Sequence, residues 1–160
     1  LMMSSEPSDT KFVRLKMMPD LHDDRIEELM RDGIGILDFG SGASVESEAA
    51  SGGGAGRSFD SYIEFTRDGG YGVLTNEGHS LMTVGFVEGA CAMFIDEASN
   101  GSVTTEKAFQ FDEYVVIEDP EAESNELYQV LQNHDHLQTM TNLTNEDNKK
   151  VIYDAFQSKI

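Results

Sequence analysis

The spacing of apolar residues changes period several times along the chain, and each change predicts an element. Residues 1–10 are polar and predict a flexible N-terminal segment. From Lys11 to Met18, Phe12, Val13, Leu15, Met17 and Met18 are apolar with no breaker among them, which predicts a strand. Pro19-Asp20 then opens a helix. Asp20 is placed to cap it, Asp23 and Asp24 fall in the first turn where carboxylates meet the positive end of the dipole, and Leu21, Ile26, Leu29 and Met30 form one apolar face. Gly33 ends that helix and Ile34 to Phe39 predicts a second strand, so the chain starts as a strand–helix–strand unit.

Residues 40–58 have almost no apolar content and predict a flexible Gly/Ser-rich loop. Such a length of loop inside a compact domain is usually functional or disordered. Residues 59–118 predict an antiparallel meander. Ser61 to Thr66 and Tyr71 to Thr75 are joined by the turn signal Arg67-Asp68-Gly69-Gly70. Leu81 to Val87 and Cys91 to Asp96 are joined at Glu88-Gly89, Asn100-Gly101 turns into Val103-Thr104-Thr105, and a last strand runs from Ala108 to Glu118. Asp119-Pro120-Glu121 then starts a helix carrying Leu127, Val130, Leu131 and His134 on one face. Thr144, with Asp147 three residues on, starts another whose stripe is Val151, Ile152, Ala155 and Phe156. The expected fold is α+β: an antiparallel β-meander, as a mixed sheet or partial barrel, with the N-terminal strand–helix–strand unit and two C-terminal helices. It forms one domain over residues 11–160.

Composition narrows the functions. A chain of 160 residues fits one domain with a real core. Thirty Asp and Glu against eleven Lys and Arg give a net charge of −19. Such a surface repels nucleic acid and anionic lipid, both of which need clustered cations, and favours a basic protein surface, a larger assembly or a cation. No run approaches the ~20 apolar residues of a membrane span, so membrane insertion is not expected and a soluble protein is. Cys91 is the only cysteine, which rules out an internal disulfide and fits a reducing or disulfide-independent compartment; its apolar neighbours, Ala90 to Ile95, predict a buried, inert thiol. The segment Leu1-Met2-Met3-Ser4-Ser5-Glu6 resembles the stub left after transit-peptide removal in proteins imported into algal plastids, which implies an organellar compartment.

Candidate chemistry is incomplete wherever it arises. Ile36-Leu37-Asp38-Phe39-Gly40-Ser41-Gly42 resembles the first motif of S-adenosylmethionine-dependent methyltransferases, in which Asp38, Gly40 and Gly42 would line the cofactor. The third glycine is replaced by Ser44, and a Gly/Ser segment stands where the motif needs a helix N-terminus, so a strand running into a loop is expected. Asp96 to Lys107 resembles an EF-hand loop, with Asp96 and Asn100 at ligand offsets. Ala98 removes a ligand, Lys107 takes the place of the bidentate Glu, and both flanks read as strands, which leaves at most weak surface Ca2+ binding. His134 and His136, two apart on a helix, diverge and cannot share a tetrahedral metal. No Gly-x-Ser-x-Gly elbow is present, and Asp68, His79 and Glu88 lie near expected turns.

No cofactor is therefore expected, and the sequence leans away from an enzyme. Its favoured function is a non-catalytic acidic protein-binding subunit or accessory factor of a larger assembly, docking through the 40–58 segment, where Ser44, Glu46, Glu48, Gly53 and Arg57 are the candidate contacts. One alternative is a binder of a small molecule or chromophore, or an enzyme, with Phe65, Tyr71, Phe86, Phe94, Phe109 and Phe111 lining a pocket in the meander. The other is an acidic inhibitor or decoy directed at a basic protein site.

Overall fold

A computed structural model describes residues 10–17, 21–37, 53–99, 102–132 and 139–159. The elements in chain order are β1 (Phe12–Lys16), α1 (Asp23–Arg31), β2 (Ile34–Leu37), α2 (Gly53–Asp68), β3 (Gly70–Thr75), a 3-10 turn (Glu77–His79), β4 (Leu81–Val87), β5 (Met93–Ser99), β6 (Ser102–Gln110), β7 (Glu113–Glu118), α3 (Pro120–Glu123), α4 (Asn125–Gln132), β8 (Met140–Asn142) and α5 (Glu146–Lys159). The fold is α+β, as the sequence predicts. Its strands form a five-stranded mixed sheet, β7-β4-β3-β1-β8, and a three-stranded antiparallel sheet, β2-β6-β5. Among the described strands, only β1 and β3 pair in parallel.

Side-chain alternation in the five-stranded sheet divides the core into two layers. Val13, Leu15, Met17, Leu74 and Leu81 point to one side, where they meet Leu29 and Met30 of α1, Phe59, Tyr62 and Phe65 of α2, and Ile36 and Phe109 of the small sheet. Phe12, Val73, Met82, Val84 and Ile117 point to the other side and meet Leu127 and Leu131 of α4 and Ile152 and Phe156 of α5. The small sheet, α1 and α2 thus cover one face of the large sheet, and the C-terminal helices cover the other. Arg14, on the C-terminal-helix side, is fully buried, with Nη2 3.5 Å from Thr141 Oγ1.

Several boundaries differ from those the sequence predicts. Residues 53–58 are not loop and Ser61–Thr66 is not a strand, since both lie in α2. Ser58, Phe59, Ser61, Tyr62, Phe65 and Thr66 are all buried, a stripe with helical and not alternating spacing. Packing of that stripe outweighs the poor helix propensity of the glycines at its start. The Arg67–Gly70 signal is the end of this helix and not a hairpin turn: Gly69, with φ +83°, donates its N–H to Phe65 O at 2.7 Å.

The expected pairing across Glu88-Gly89 is absent, because β4 pairs with β3 and β7 while β5 pairs with β6. The strand expected over Ala108–Glu118 breaks at Phe111 and Asp112, whose N–H groups turn to Gly33 O and Phe86 O, and its two halves enter different sheets. The first C-terminal helix divides at Ser124 into α3 and α4. Its cap position is Asp119, whose side chain makes no capping bond. The cap of α5 is Asn145 and not Thr144: Asn145 Oδ1 accepts Asn148 N–H at 3.0 Å. At α1 the cap position is His22, and Asp20 lies outside the described residues.

Candidate functional site

The β5–β6 hairpin stands out on physical grounds. Its strands are paired from Met93↔Ala108 to Ser99↔Ser102, which puts the expected turn, Asn100-Gly101, at the joint, though those two residues lie outside the described ones. The register sends Phe94, Asp96 and Ala98 to one face with Val103, Thr105 and Lys107, and sends Met93, Ile95 and Glu97 to the other with Glu106 and Ala108.

The second face is anchored. Met93 and Ile95 pack on the main core. Glu97 accepts Arg25 Nε at 2.9 Å and Arg25 Nη2 at 2.7 Å, a two-pronged pair that ties β5 to α1. Hydrogen bonding from Arg25 holds the Glu97 carboxyl below the usual glutamate range, against the opposing pull of burial. Arg25 also bonds Glu28 on its own helix. Behind the hairpin, Tyr62 of α2 donates its hydroxyl to Ala108 O at 2.9 Å and reaches Met93 O at 3.3 Å. Burial raises the Tyr62 phenol to about 12.

The first face is split. Near α2, Lys107 is buried with Nζ 5.5 Å from the Phe59 ring centre, and Phe109 meets Phe65 edge-on at 5.2 Å. Farther along, Phe94 is 59% exposed and Val103 is 69% exposed, and these are the exposed large apolar side chains among the described residues. Exposed Asp96 lies between them and accepts Thr105 Oγ1 at 2.7 Å. Among the described residues, the outer edge of β5 pairs with no strand. Burying what is left of Phe94 would recover ~2–3 kcal/mol at the usual transfer coefficient.

The structure separates most of the other candidates. Ser44, Glu46 and Glu48, together with Asp38, Gly40, Gly42, Asn100, His134 and His136, lie outside the described residues. Gly53 and Arg57 stand in the first turns of α2, the helix that backs the hairpin, and Arg57 is exposed. β2, which carries the start of the methyltransferase-like motif, pairs antiparallel with β6 in a three-stranded sheet, where that family's fold needs alternating parallel βα units. Asp96 sits on a strand of a hairpin, and among the described residues no group of three or more His, Cys, Asp or Glu is placed to hold a metal.

Asp68 and Glu88 lie at one end of the β3–β4 pair, beside Lys11, whereas His79 lies in the turn at the opposite end. The six aromatic residues expected to line a pocket fall into three places. Phe65, Phe109 and Phe111 belong to one core layer, Tyr71 and Phe86 pack in the other, and Phe94 is on the surface. Cys91 is half-buried, and burial, with the charge of Asp112, raises its thiol above the usual range, so the thiolate is disfavoured.

A cleft of about 260 Å³ lies between the start of α1 and the β3–β4 turn. Met17, Leu21 and Ile26 give it an apolar part, and Asp23, Glu27 and Glu77 give it carboxylates. Asn76 at its edge donates to Ser80 Oγ at 2.8 Å and accepts Leu81 N–H at 3.1 Å. No helix among the described residues is long and apolar enough to cross a membrane. No protein-family model matches this chain, and no match was found among curated proteins or solved structures.

Proposed function

We propose that the chain is a non-catalytic, acidic protein-binding subunit or accessory factor whose docking surface is the outer face of the β5–β6 hairpin. The observation that carries this is the pair Phe94 and Val103. Among the described residues these are the exposed large apolar side chains, and both stand on one face of a braced hairpin. Bracing by Arg25 and Tyr62 lowers the ordering cost of binding, since the hairpin is already held before a partner arrives. The net charge of −19 directs that surface toward a basic partner. The contacts expected from the 40–58 segment, Ser44, Glu46, Glu48, Gly53 and Arg57, remain part of the proposal as a second docking element.

The test is native mass spectrometry of the protein taken from its own source at low salt. A complex of defined stoichiometry is the expected result, and its loss in a Phe94→Asp variant would tie it to the hairpin. A bare monomer would overturn the proposal. A monomer carrying a small extra mass would instead favour ligand binding, for which the cleft beside Met17, Leu21 and Ile26 is the site, its carboxylates selecting a cationic molecule. An acidic inhibitor would use the same hairpin face, and the identity of the captured protein separates it from an assembly subunit.

A further inference from the structure

We propose that the partner docks by adding a strand: an extended, basic segment pairs with the outer edge of β5 and sets an apolar side chain beside Phe94 and a cation beside Asp96, on the face that also carries Val103. Strand addition rests on the protein-binding role proposed above and specifies its mode and partner chemistry. β5 is seven residues long, contains no proline, and among the described residues pairs only with β6, so its outer N–H and C=O groups form a row available to another strand. Natural sheet edges are commonly blunted by lysine, proline or a bulge; β5 carries none of these and keeps a regular register with β6 throughout. From Met93 to Gln110 the only cation is Lys107, and it is buried against Phe59. The exposed charge on this face is Asp96, midway between the two apolar side chains.

These features choose the occupant. A strand whose residues on this face, at every second position, run β-branched, Lys or Arg, β-branched would place a cation beside Asp96 and an apolar group beside Phe94, in the overall field of a chain of charge −19. A second copy of this chain is disfavoured, because antiparallel pairing of β5 with itself about its centre would set Asp96 opposite Asp96.

Three labelled, end-capped ten-residue peptides test this against the full chain: a Lys–Val peptide with Val and Lys taking turns at every second position and Thr between them, a Glu–Val peptide with Glu in place of each Lys, and the Lys–Val peptide with all its backbone amides N-methylated, which blocks both of its edges. Fluorescence anisotropy is expected to show the Lys–Val peptide binding at least about tenfold tighter than either of the others, with affinity falling as salt rises. Amide hydrogen exchange is expected to slow in β5 when that peptide binds. The Asp96→Lys variant should reverse the preference between the Lys and Glu peptides. Equal binding of the N-methylated peptide, or no change of exchange in β5 with any peptide, overturns strand addition. Either result leaves the protein-binding role standing if the complex from the native source still depends on Phe94. If that complex survives Phe94→Asp while the Lys–Val peptide protects β5, the assigned role fails and the edge remains a strand-binding site. A concentration-dependent dimer in sedimentation that protects β5 without peptide would assign the edge to a second copy and overturn the basic-segment proposal.

Discussion

Arg25 on α1 holds Glu97 on β5 through two hydrogen bonds of 2.9 and 2.7 Å, joining residues 72 apart in sequence. Glu97 keeps a side chain only 10% exposed, so its charge is tolerated because the guanidinium faces it. Arg25→Ala would leave that largely buried carboxylate without its guanidinium partner, and a loss of about 1–3 kcal/mol of stability near neutral pH is expected. The sign of the pH dependence follows from the depressed Glu97 carboxyl. Its stabilising contribution is present above the ordinary glutamate value of 4.5 and is lost as pH falls through the lower folded-state value. Denaturant unfolding of wild type and variant near neutrality and in acid checks this: the gap between them should narrow in acid. A gap that stays constant would show that the pair is not its source.

Tyr62 braces the same hairpin from the other helix, and its hydroxyl is the polar group doing so. Tyr62→Phe removes the donor and leaves two carbonyls to find other partners, at an expected cost of about 1–2 kcal/mol. The raised phenol gives a second signature. Between the unfolded value of 10 and the folded value of about 12, the unfolded chain ionises first, so wild-type stability should fall as pH rises through that window. The Phe variant should fall less steeply there, as unfolding curves across the alkaline range would show.

The sequence makes some of this legible and hides the rest for identifiable reasons. Strands β1, β3 and β4 and helices α1 and α5 are visible because each carries its own apolar period, as with Ile26, Leu29 and Met30. Helix α2 is hidden because its first residues are glycine and alanine, so local propensity reads as loop, and because Tyr62, Ile63 and Phe65 in isolation fit a short strand equally well. Extending the window back to Phe59 would have exposed the three-residue spacing of Phe59, Tyr62 and Phe65. Which strands pair is not written locally at all. β4 and β5 adjoin in sequence yet enter different sheets, because Glu88 and Asp112 meet at a corner where Glu88 N–H bonds Asp112 Oδ2. Phe94 illustrates the same limit for the site. As one aromatic in an apolar run it reads as core, and only the register with β6 places it outside.

Gly85 in β4 tests the packing of the two sheets. A Cβ built there would lie 2.3 Å from the Phe111 ring, which is buried over this strand at the point where the chain leaves the small sheet. No side chain larger than hydrogen fits unless that ring moves, and the ring also meets Phe109 at 5.5 Å. Gly85→Ala is therefore expected to destabilise by about 1–3 kcal/mol, against the usual gain from replacing a strand glycine. Thermal unfolding measures this. A companion change, Phe111→Leu, should be less harmful in the Gly85→Ala background than alone, since it would make room for the added methyl group.

The last prediction separates a surface kept for binding from one kept for folding. Phe94 and Val103 are more than half exposed, so each already forgoes most of its burial energy in the free chain. Changing both to serine should cost no more than about 1 kcal/mol of folding stability, because little packing is lost. The same change should reduce binding of a fluorescent hydrophobic probe and weaken the complex from the native source by about tenfold or more, because contact side chains near the centre of an interface carry most of its energy. A double variant that unfolds readily would mean that these side chains serve the fold. One that folds normally and still holds its partner would place the docking surface elsewhere. Only the combination of retained stability and lost binding fits a hairpin whose anchored face is secured by Arg25 and Tyr62 and whose outer face is left for another protein.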